Sequence, residues 1–475
     1  MPLISSCLTR KDLFCEKGFI AGSWVDAQDG ATFEVRDPAS LDVIATVPGM
    51  GTSGTEKAIA AAHEAFESYK MTSARERARC LRQWNALCLE HLNDLALILT
   101  MENGNLSPRR RVNGEVIPTA NRNQLVLTIK EPIGVAACLA PWNFPIAMIT
   151  RKVGAALVAG CTTIWKPAGE TPLSALAQAI LAQEAGFPVG TINVITTLNK
   201  VGEVGNAICS SKLVHKLSFT SSTRVGQLLA KKCSTNLTKL SLELGGNSPF
   251  IVFDDAKVET AVEACMMAKF RNSDQTCVTA NRIFVQSGIY QEFMTALIAK
   301  IKTLKVGQGM DNDVLIGPLT HERAIDKALE HINDAKSHGA SVELGGAAFQ
   351  PDNLRGYFLQ PTVLSGMFKE TLTTREETFA PVVALYPFDT EEEVFSRAND
   401  CDVGLGSFIM TESTLRMWRV AESLEVGMVG VNLGILSACE SPFGGVKQSG
   451  YGREGGREGI HEYLTLKSIL INVAN

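Results

Sequence analysis

Several absences narrow what this chain can be. No apolar run reaches the roughly 18–20 residues that a membrane-spanning helix needs; the most apolar, Ile133–Leu139, is the size of a strand. The 12 cysteines include no Cys-x-x-Cys pair and no close Cys/His cluster, so no metal site is expected. Most lie in apolar contexts, such as Cys138 in VAACLA and Cys209 in NAICS, where reduced, buried thiols are the default. Charge of one sign is also lacking. Lys and Arg total 45 against 50 Asp and Glu, a net of −5 that gives no case for nucleic acid or an anionic membrane as partner. The one dense basic run, Arg109-Arg110-Arg111 with Arg122 nearby, reads as a solvated face. Internal repeats and low-complexity linkers are missing, so the domains should pack directly on one another. The opening stretch MPLISSCLTRKDLFCEKGF has no secretory apolar core and soon carries Asp12 and Glu16, which favours a cytoplasmic location.

What is present is an alternation of strand-like and helix-like segments. At 475 residues the chain exceeds what one core organises. Helices are expected over 54–68 and 75–100. LVLTI (125–129) and VAACLA (135–140) read as strands flanking a Lys130-Glu131-Pro132 turn. A helix over 146–160 stops at Gly160, and the strand TTIWK (162–166) follows. A helix over 172–186, the strand TINVIT (191–196), a short helix, the strand KLSFT (216–220), a helix from Thr223 and the strand TKLSLEL (238–244) continue the series. A second series starts near Gly246 with PFIVF, a helix from Val258, NRIFV (281–285) and a helix from Tyr290. Such alternation predicts α/β architecture, parallel sheets covered on both faces.

Two places in the first series suit a nucleotide. Lys166 ends the strand TTIWK, and open α/β sheets bind ligands at the carboxyl ends of their strands. Ser221-Ser222-Thr223-Arg224-Val225-Gly226 joins a strand to a helix, where free N–H groups can hold a pyrophosphate. A literal GxGxxG at Gly450–Gly455 is a decoy. No apolar strand precedes it and only 20 residues follow, too few for the rest of a βαβ unit, so it reads as a surface turn.

Seven segments together resemble the aldehyde dehydrogenase superfamily: PWNFP (141–145), WKPAGETP (165–172), FTSSTRVG (219–226), LELGGNSP (242–249), RNSDQTC (271–277), EETFAPV (376–382) and SPFGGVKQSGYGREG (441–455). They occur in the family's order over most of the chain. The wording of MITRKVGAAL (148–157) and FRNSDQTC (270–277) is most similar to the succinate-semialdehyde dehydrogenase branch. The resemblance implies a Rossmann-type cofactor domain (1–113 and 141–245), an α/β catalytic domain (246–444) and oligomerisation strands (114–140 and 461–475). It implies Cys277 as nucleophile, Glu243 as general base, and the Asn143 side chain with the Cys277 N–H as oxyanion hole. On the residues alone, Cys277 could be a core thiol, Glu243 a turn cap and Asn143 a turn residue. The polar run Arg271–Thr276 before Cys277 argues for the nucleophile.

For the cofactor, NADP or NAD, the resemblance implies contacts from Trp142, Lys166, Gly169, Ser221, Ser222, Gly226 and Glu377. Lys166 and Glu377 would hold the adenosine ribose and Ser222 the pyrophosphate. NAD-preferring relatives often carry glutamate three residues after the lysine. Gly169 stands there, followed by Glu170, and without that carboxylate a 2′-phosphate meets less repulsion. Arg151, Arg271 and Ser437 match the residues that hold a semialdehyde's far carboxylate. Arginine suits that task because its fork donates two parallel hydrogen bonds. The substrate is then a small aldehyde, with succinate semialdehyde foremost, and a homodimer or homotetramer is expected.

The chain departs from the family pattern in several places. Asp274 and Ala380 replace glycines, and Ser221 replaces the first glycine of the cofactor loop. Thr279 stands where some semialdehyde relatives have a redox-partner cysteine. Between Asn105 and Arg111 only LSPRR intervenes, where relatives have a helix that walls the substrate tunnel. These departures raise two alternatives, an aldehyde dehydrogenase of altered specificity and a weakly active cofactor-binding relative. Asp274 in particular is expected to raise the Cys277 thiol's pKa and depress activity, unless it points into solvent or pairs with Arg271.

Overall fold

A computed structural model describes residues 8–102, 115–117, 124–351 and 353–472. The short segment after Asn105 lies outside them. Two sheets organise the chain. The first has eight strands, in the order Ser23–Val25, Gly18–Ile20, Ile192–Val194, Thr162–Lys166, Val135–Leu139, Val214–Thr220, Lys239–Glu243 and Gly450–Tyr451. From Ile192–Val194 to Lys239–Glu243 the pairs are parallel. Helices Pro145–Ala159, Leu173–Glu184 and Thr223–Cys233 connect these strands. The second sheet has seven, in the order Ser341–Leu344, Thr362–Ser365, Val382–Phe388, Ala280–Gln286, Ser248–Val252, Gly406–Met410 and Met428–Val431, parallel except at the Ser341–Leu344 edge.

Local chemistry explains the elements. Every residue of Val135–Leu139 and Ser248–Val252 is buried, the pattern of strands covered on both faces. Pro145 opens its helix at a position that needs no N–H, and Gly160 closes it with φ +100°. Ser73 and Glu76 form a reciprocal capping box that starts the helix Ala74–Glu90. The helix expected over 75–100 is two, because His91 leaves the helical conformation and Leu92–Glu102 begins anew.

Three further expectations are corrected. Val135–Leu139, grouped by sequence with the oligomerisation strands, runs through the middle of the first sheet between Thr162–Lys166 and Val214–Thr220. Lys130-Glu131-Pro132 is not a turn but the end of the strand Gln124–Pro132, which pairs along its length with Leu464–Asn472. The chain turns two residues later at Gly134, φ +130°, a conformation open to glycine. The GxGxxG stretch is more than a surface turn: Gly450–Tyr451 is the antiparallel edge of the first sheet against Leu242 and Glu243. A Cβ on Gly450 would lie 2.0 Å from the Leu242 carbonyl oxygen, so strand contact accounts for that glycine.

Candidate active site

Cys277 follows the helix Val258–Phe270 and a tight turn in which Asn272, Ser273 and Asp274 all have positive φ, 53°, 54° and 70°. Left-handed geometry costs an L-residue about 1–2 kcal/mol, somewhat less for Asn and Asp. Contacts to the surroundings hold the turn in place. The Asn272 amide donates to the Asn143 carbonyl at 2.9 Å, the Ser273 hydroxyl to Gly317 O at 3.1 Å, and the Thr320 N–H to Gln275 Oε1 at 3.0 Å. A Cβ at Gly246 would sit 2.3 Å from the Cys277 carbonyl oxygen, so the glycine of LELGG gives the nucleophile's backbone its room.

The thiol is enclosed and burial pushes its pKa up to about 12, with Glu377 and Glu243 adding to the rise and Arg151 opposing it. At rest it is a neutral thiol that needs a proton acceptor. Glu243, the last residue of Lys239–Glu243, is buried, and neither carboxylate oxygen has a hydrogen-bond partner among the described residues. Burial, then Glu454, hold it well above the usual carboxylate range, while Lys152, Arg453 and Arg151 pull the other way. Gly444 makes space for it, since a Cβ there would lie 2.7 Å from Glu243 Oε1. A raised, unpartnered carboxylate is suited to taking up a proton near neutral pH. Asn143 is buried and donates one amide hydrogen to Gln275 O at 2.8 Å. A primary amide has two, so one remains for a developing oxyanion.

Lys166, Ser221 and Glu243 stand at or just beyond the carboxyl ends of three parallel strands on the same side of the first sheet, with Val135–Leu139 between the first two. The Ser221 N–H donates to Glu243 O at 3.2 Å. The helix Thr223–Cys233 starts at Ser222, whose side chain makes no capping bond, so its first-turn N–H groups remain for an anion. Gly226 lets that helix approach Leu244, whose Cδ2 lies 2.4 Å from where a Cβ would be. The Lys166 ammonium has no ion-pair partner among the described residues. Burial lowers its pKa to about 8 against the pull of Glu170. Gly169 presses on Leu198, with an ideal Cβ 2.9 Å from Leu198 Cα, so the loop as folded has no room for a side chain. Trp142 is wedged edge-on between His321 and Phe379, both at 5.7 Å between ring centres. Glu377, expected at a ribose of the cofactor, adjoins Gly245 and Gly246 and acts electrostatically on Cys277. Burial pushes its carboxyl up to about 8.

The structure brings the three expected substrate residues together. Arg151 Nη2 donates to Ser437 Oγ at 2.8 Å, its guanidinium lies 4.5 Å from the centre of the Phe443 ring, and its buried Nη1 has no partner. Arg271 lies over Phe144 at 5.1 Å, and burial and the charge of Arg151 both lower its pKa. Neither arginine meets a carboxylate partner among the described residues. Two unpaired guanidiniums that repel each other beside a nucleophile form a place for an anion.

Asp274 corrects the sequence reading. Its side chain neither faces solvent nor pairs with Arg271. It is fully buried and ion-paired with the equally buried Lys269, 2.9 Å away. The charges raising the Cys277 pKa are those of Glu377 and Glu243. Sequence reasoning also missed the buried pair Lys152–Glu454 beside the base. Its signals were a lysine inside an apolar helix and the glutamate of the GREG wording. No cluster of metal-ligating side chains and no helix fit to cross a membrane occurs among the described residues.

A thiol near an unpartnered carboxylate and a spare amide N–H is arranged to hold a carbonyl carbon and its oxygen, and the adjoining sheet edge suits a dinucleotide: together these define a cysteine-dependent oxidoreductase. The chain belongs to the aldehyde dehydrogenase family, whose model matches residues 24–109 and 106–469. The match breaks at 106–109, where the sequence is short. The chain is 45% identical to succinate-semialdehyde dehydrogenase [NADP(+)] 1 of Schizosaccharomyces pombe, over 97% of this chain and 95% of that one. It is 44% identical to glutarate-semialdehyde dehydrogenase of Pseudomonas putida, over 98% and 100%. The crystal structure of succinate-semialdehyde dehydrogenase from Burkholderia pseudomallei superposes with a TM-score of 0.95 at 44% identity, covering 98% of this chain and 100% of that one.

Proposed function

We propose that this enzyme oxidises succinate semialdehyde, or a close ω-carboxylated aldehyde, to the acid with NADP or NAD. The observation that carries this reading is the pair of carboxylate-free arginines, with Ser437, beside Cys277. The substrate's far carboxylate relieves their repulsion and sets its aldehyde carbon over the thiol. Glu243 takes the thiol proton, Cys277 adds to the carbonyl carbon, and the Asn143 amide and the Cys277 N–H hold the oxyanion. Bound NAD(P) supplies the acceptor for the hydride that leaves the thiohemiacetal carbon. Glu243 passes the thiol proton on to solvent, then draws a proton from a water that cleaves the thioester and returns it to the Cys277 sulfur as the acid is released.

The cofactor residues fit this role. Lys166 has no ion-pair partner among the described residues, and the uncapped helix start at Ser222, with Ser221 and Gly226, suits a pyrophosphate. Trp142 and Gly169 line the same approach. The electrostatic effect of Glu377 on Cys277 supports a role at the ribose nearest the reacting ring, with Lys166 at the adenosine ribose. A 2′-phosphate meets no carboxylate at 169, which favours acceptance of NADP. The eleven described cysteines are free, which suits a reducing compartment such as the cytoplasm. The sheet of Leu464–Asn472, Gln124–Pro132 and Glu115–Ile117 has an open edge strand that suits assembly into a homodimer or homotetramer.

The test is an aldehyde panel with both cofactors, following absorbance of the reduced nicotinamide, in wild type and Arg151→Ala. Wild type should prefer succinate or glutarate semialdehyde over uncharged aldehydes of similar length. Arg151→Ala should lose that preference selectively, by about 1.5–3 kcal/mol for a charge-assisted hydrogen bond. Equal losses on charged and uncharged aldehydes would refute carboxylate recognition and point to altered specificity.

A further inference from the structure

Three departures from the family pattern, two of them flanking Cys277 and the third about a hundred residues further on, meet in one buried cluster. One oxygen of the Asp274 carboxylate takes an ion pair from Lys269 Nζ at 2.9 Å, both side chains being fully buried. The other accepts a hydrogen bond from the Thr279 hydroxyl. The Ala380 N–H, three residues beyond Glu377, faces the same carboxylate and favours its ionised form. An ionised carboxylate only accepts and offers about four lone-pair sites, so it can satisfy three donors from different directions at once. A glycine at 274 would adopt φ +70° freely and would hold none of them.

The cluster brackets the nucleophile. Asp274 and Thr279 lie on either side of Cys277, so their bond closes the backbone into a short ring around it. Within that ring the Gln275 carbonyl receives the Asn143 amide, the oxyanion donor. Outside it, Lys269 fixes the ring to the helix Val258–Phe270, and Ala380 fixes it to the segment carrying Glu377. We infer that Asp274 is a positioning residue, which by joining Lys269, Thr279 and the Ala380 N–H sets the geometry of Cys277 against Asn143 and Glu377. Asp274 acts on catalysis by holding this ring and not by its charge at the thiol. Asp274→Gly should therefore lower activity, the reverse of what its sequence position suggests.

The inference rests on the roles proposed for Cys277 and Glu243. It is tested in a Glu243→Gln background at pH 9, where the larger thiolate fraction lets attack proceed without a proton acceptor and the reaction stops at the thioester. The burst of reduced cofactor then counts competent sites by its amplitude and reports attack geometry by its rate constant. Asp274→Asn, Asp274→Gly and Lys269→Met should keep most of the amplitude. Their rate constants should fall roughly ten- to a hundred-fold, the scale on which ångström-sized misplacement acts. Thr279→Val, of the same shape, should be slowed less, and Thr279→Ser, which keeps the hydroxyl, should match the parent. Cofactor dissociation constants should stay unchanged throughout. A rate constant unchanged in both Asp274→Asn and Thr279→Val overturns the inference, and so does a loss of amplitude alone, which would mark the cluster as merely structural. If Glu243→Gln gives no burst, attack itself needs Glu243; if it turns over like wild type, the assignment of the base has failed. The comparison is then made with Glu243 intact, by turnover per folded site, where an unchanged value for Asp274→Asn overturns the inference.

Discussion

The resting thiol is the residue most out of line with its task. Burial and two nearby carboxylates favour the neutral form of Cys277, against the charge of Arg151 and the residue's own backbone N–H. The sign is clear: raising pH increases the thiolate fraction, and with the pKa pushed up to about 12 no plateau falls within the working range. Alkylation of Cys277 in cofactor-free enzyme should therefore accelerate by about tenfold per pH unit from 7 to 9. Modification is read by mass spectrometry, with Cys277→Ser as the control for other thiols. Levelling off below pH 9 would show that the site holds a thiolate at rest. At this scale the sequence was informative where a motif carried the residue. Cys277, Glu243, Asn143, Arg151 and Ser437 could be named in advance. Lys269 as the partner of Asp274 could not, because a buried ion pair leaves no periodic or compositional trace. From the sequence alone Arg271 was the nearer and equally plausible cation.

Elements were legible where one signal dominated. TTIWK was read to the residue, and Gly160 marked the end of its helix, since apolar runs and a left-handed cap leave few choices. Competing signals misled. Lys130-Glu131-Pro132 looks like a turn locally, but pairing with nine residues of a strand more than 300 positions away keeps it extended. The capping box at Ser73 allows a local test. Ser73→Ala removes an acceptor from the Glu76 N–H and should cost about 1 kcal/mol in denaturant unfolding. The change should leave turnover intact, because the helix Ala74–Glu90 packs behind the cofactor sheet, on Leu173–Glu184 and Pro145–Ala159. A cost near zero would mean that tertiary packing alone fixes that helix start.

At the scale of the molecule, the strand Leu464–Asn472 stands at the open edge of its three-stranded sheet and exposes Leu466, Ile469, Leu470 and Ile471. An edge so apolar needs covering. Sedimentation at micromolar concentration should give a dimer or tetramer, and Leu470→Lys should shift it toward smaller species. A monomeric wild type would contradict the assembly. The sheet orders themselves were beyond sequence reading. Alternation implied parallel strands, but nothing in VAACLA distinguished a central strand from a peripheral one, and its place is set by the partners on either side.

The pairing of Gly450–Tyr451 with Leu242–Glu243, and of Leu464–Asn472 with Gln124–Pro132, also bears on synthesis. A ribosome delivers residues in order, and everything these late segments complete has already emerged. Until they arrive, the first sheet lacks its edge next to Glu243, that carboxylate lacks the Gly444 surface against which it packs, and Lys152 waits in its helix without Glu454. A nascent chain can thus assemble most of its cofactor-binding layers while its chemistry is still unfinished. Competence comes as one late event, and a prematurely terminated product that has lost these segments would hold a half-built centre in a largely formed scaffold.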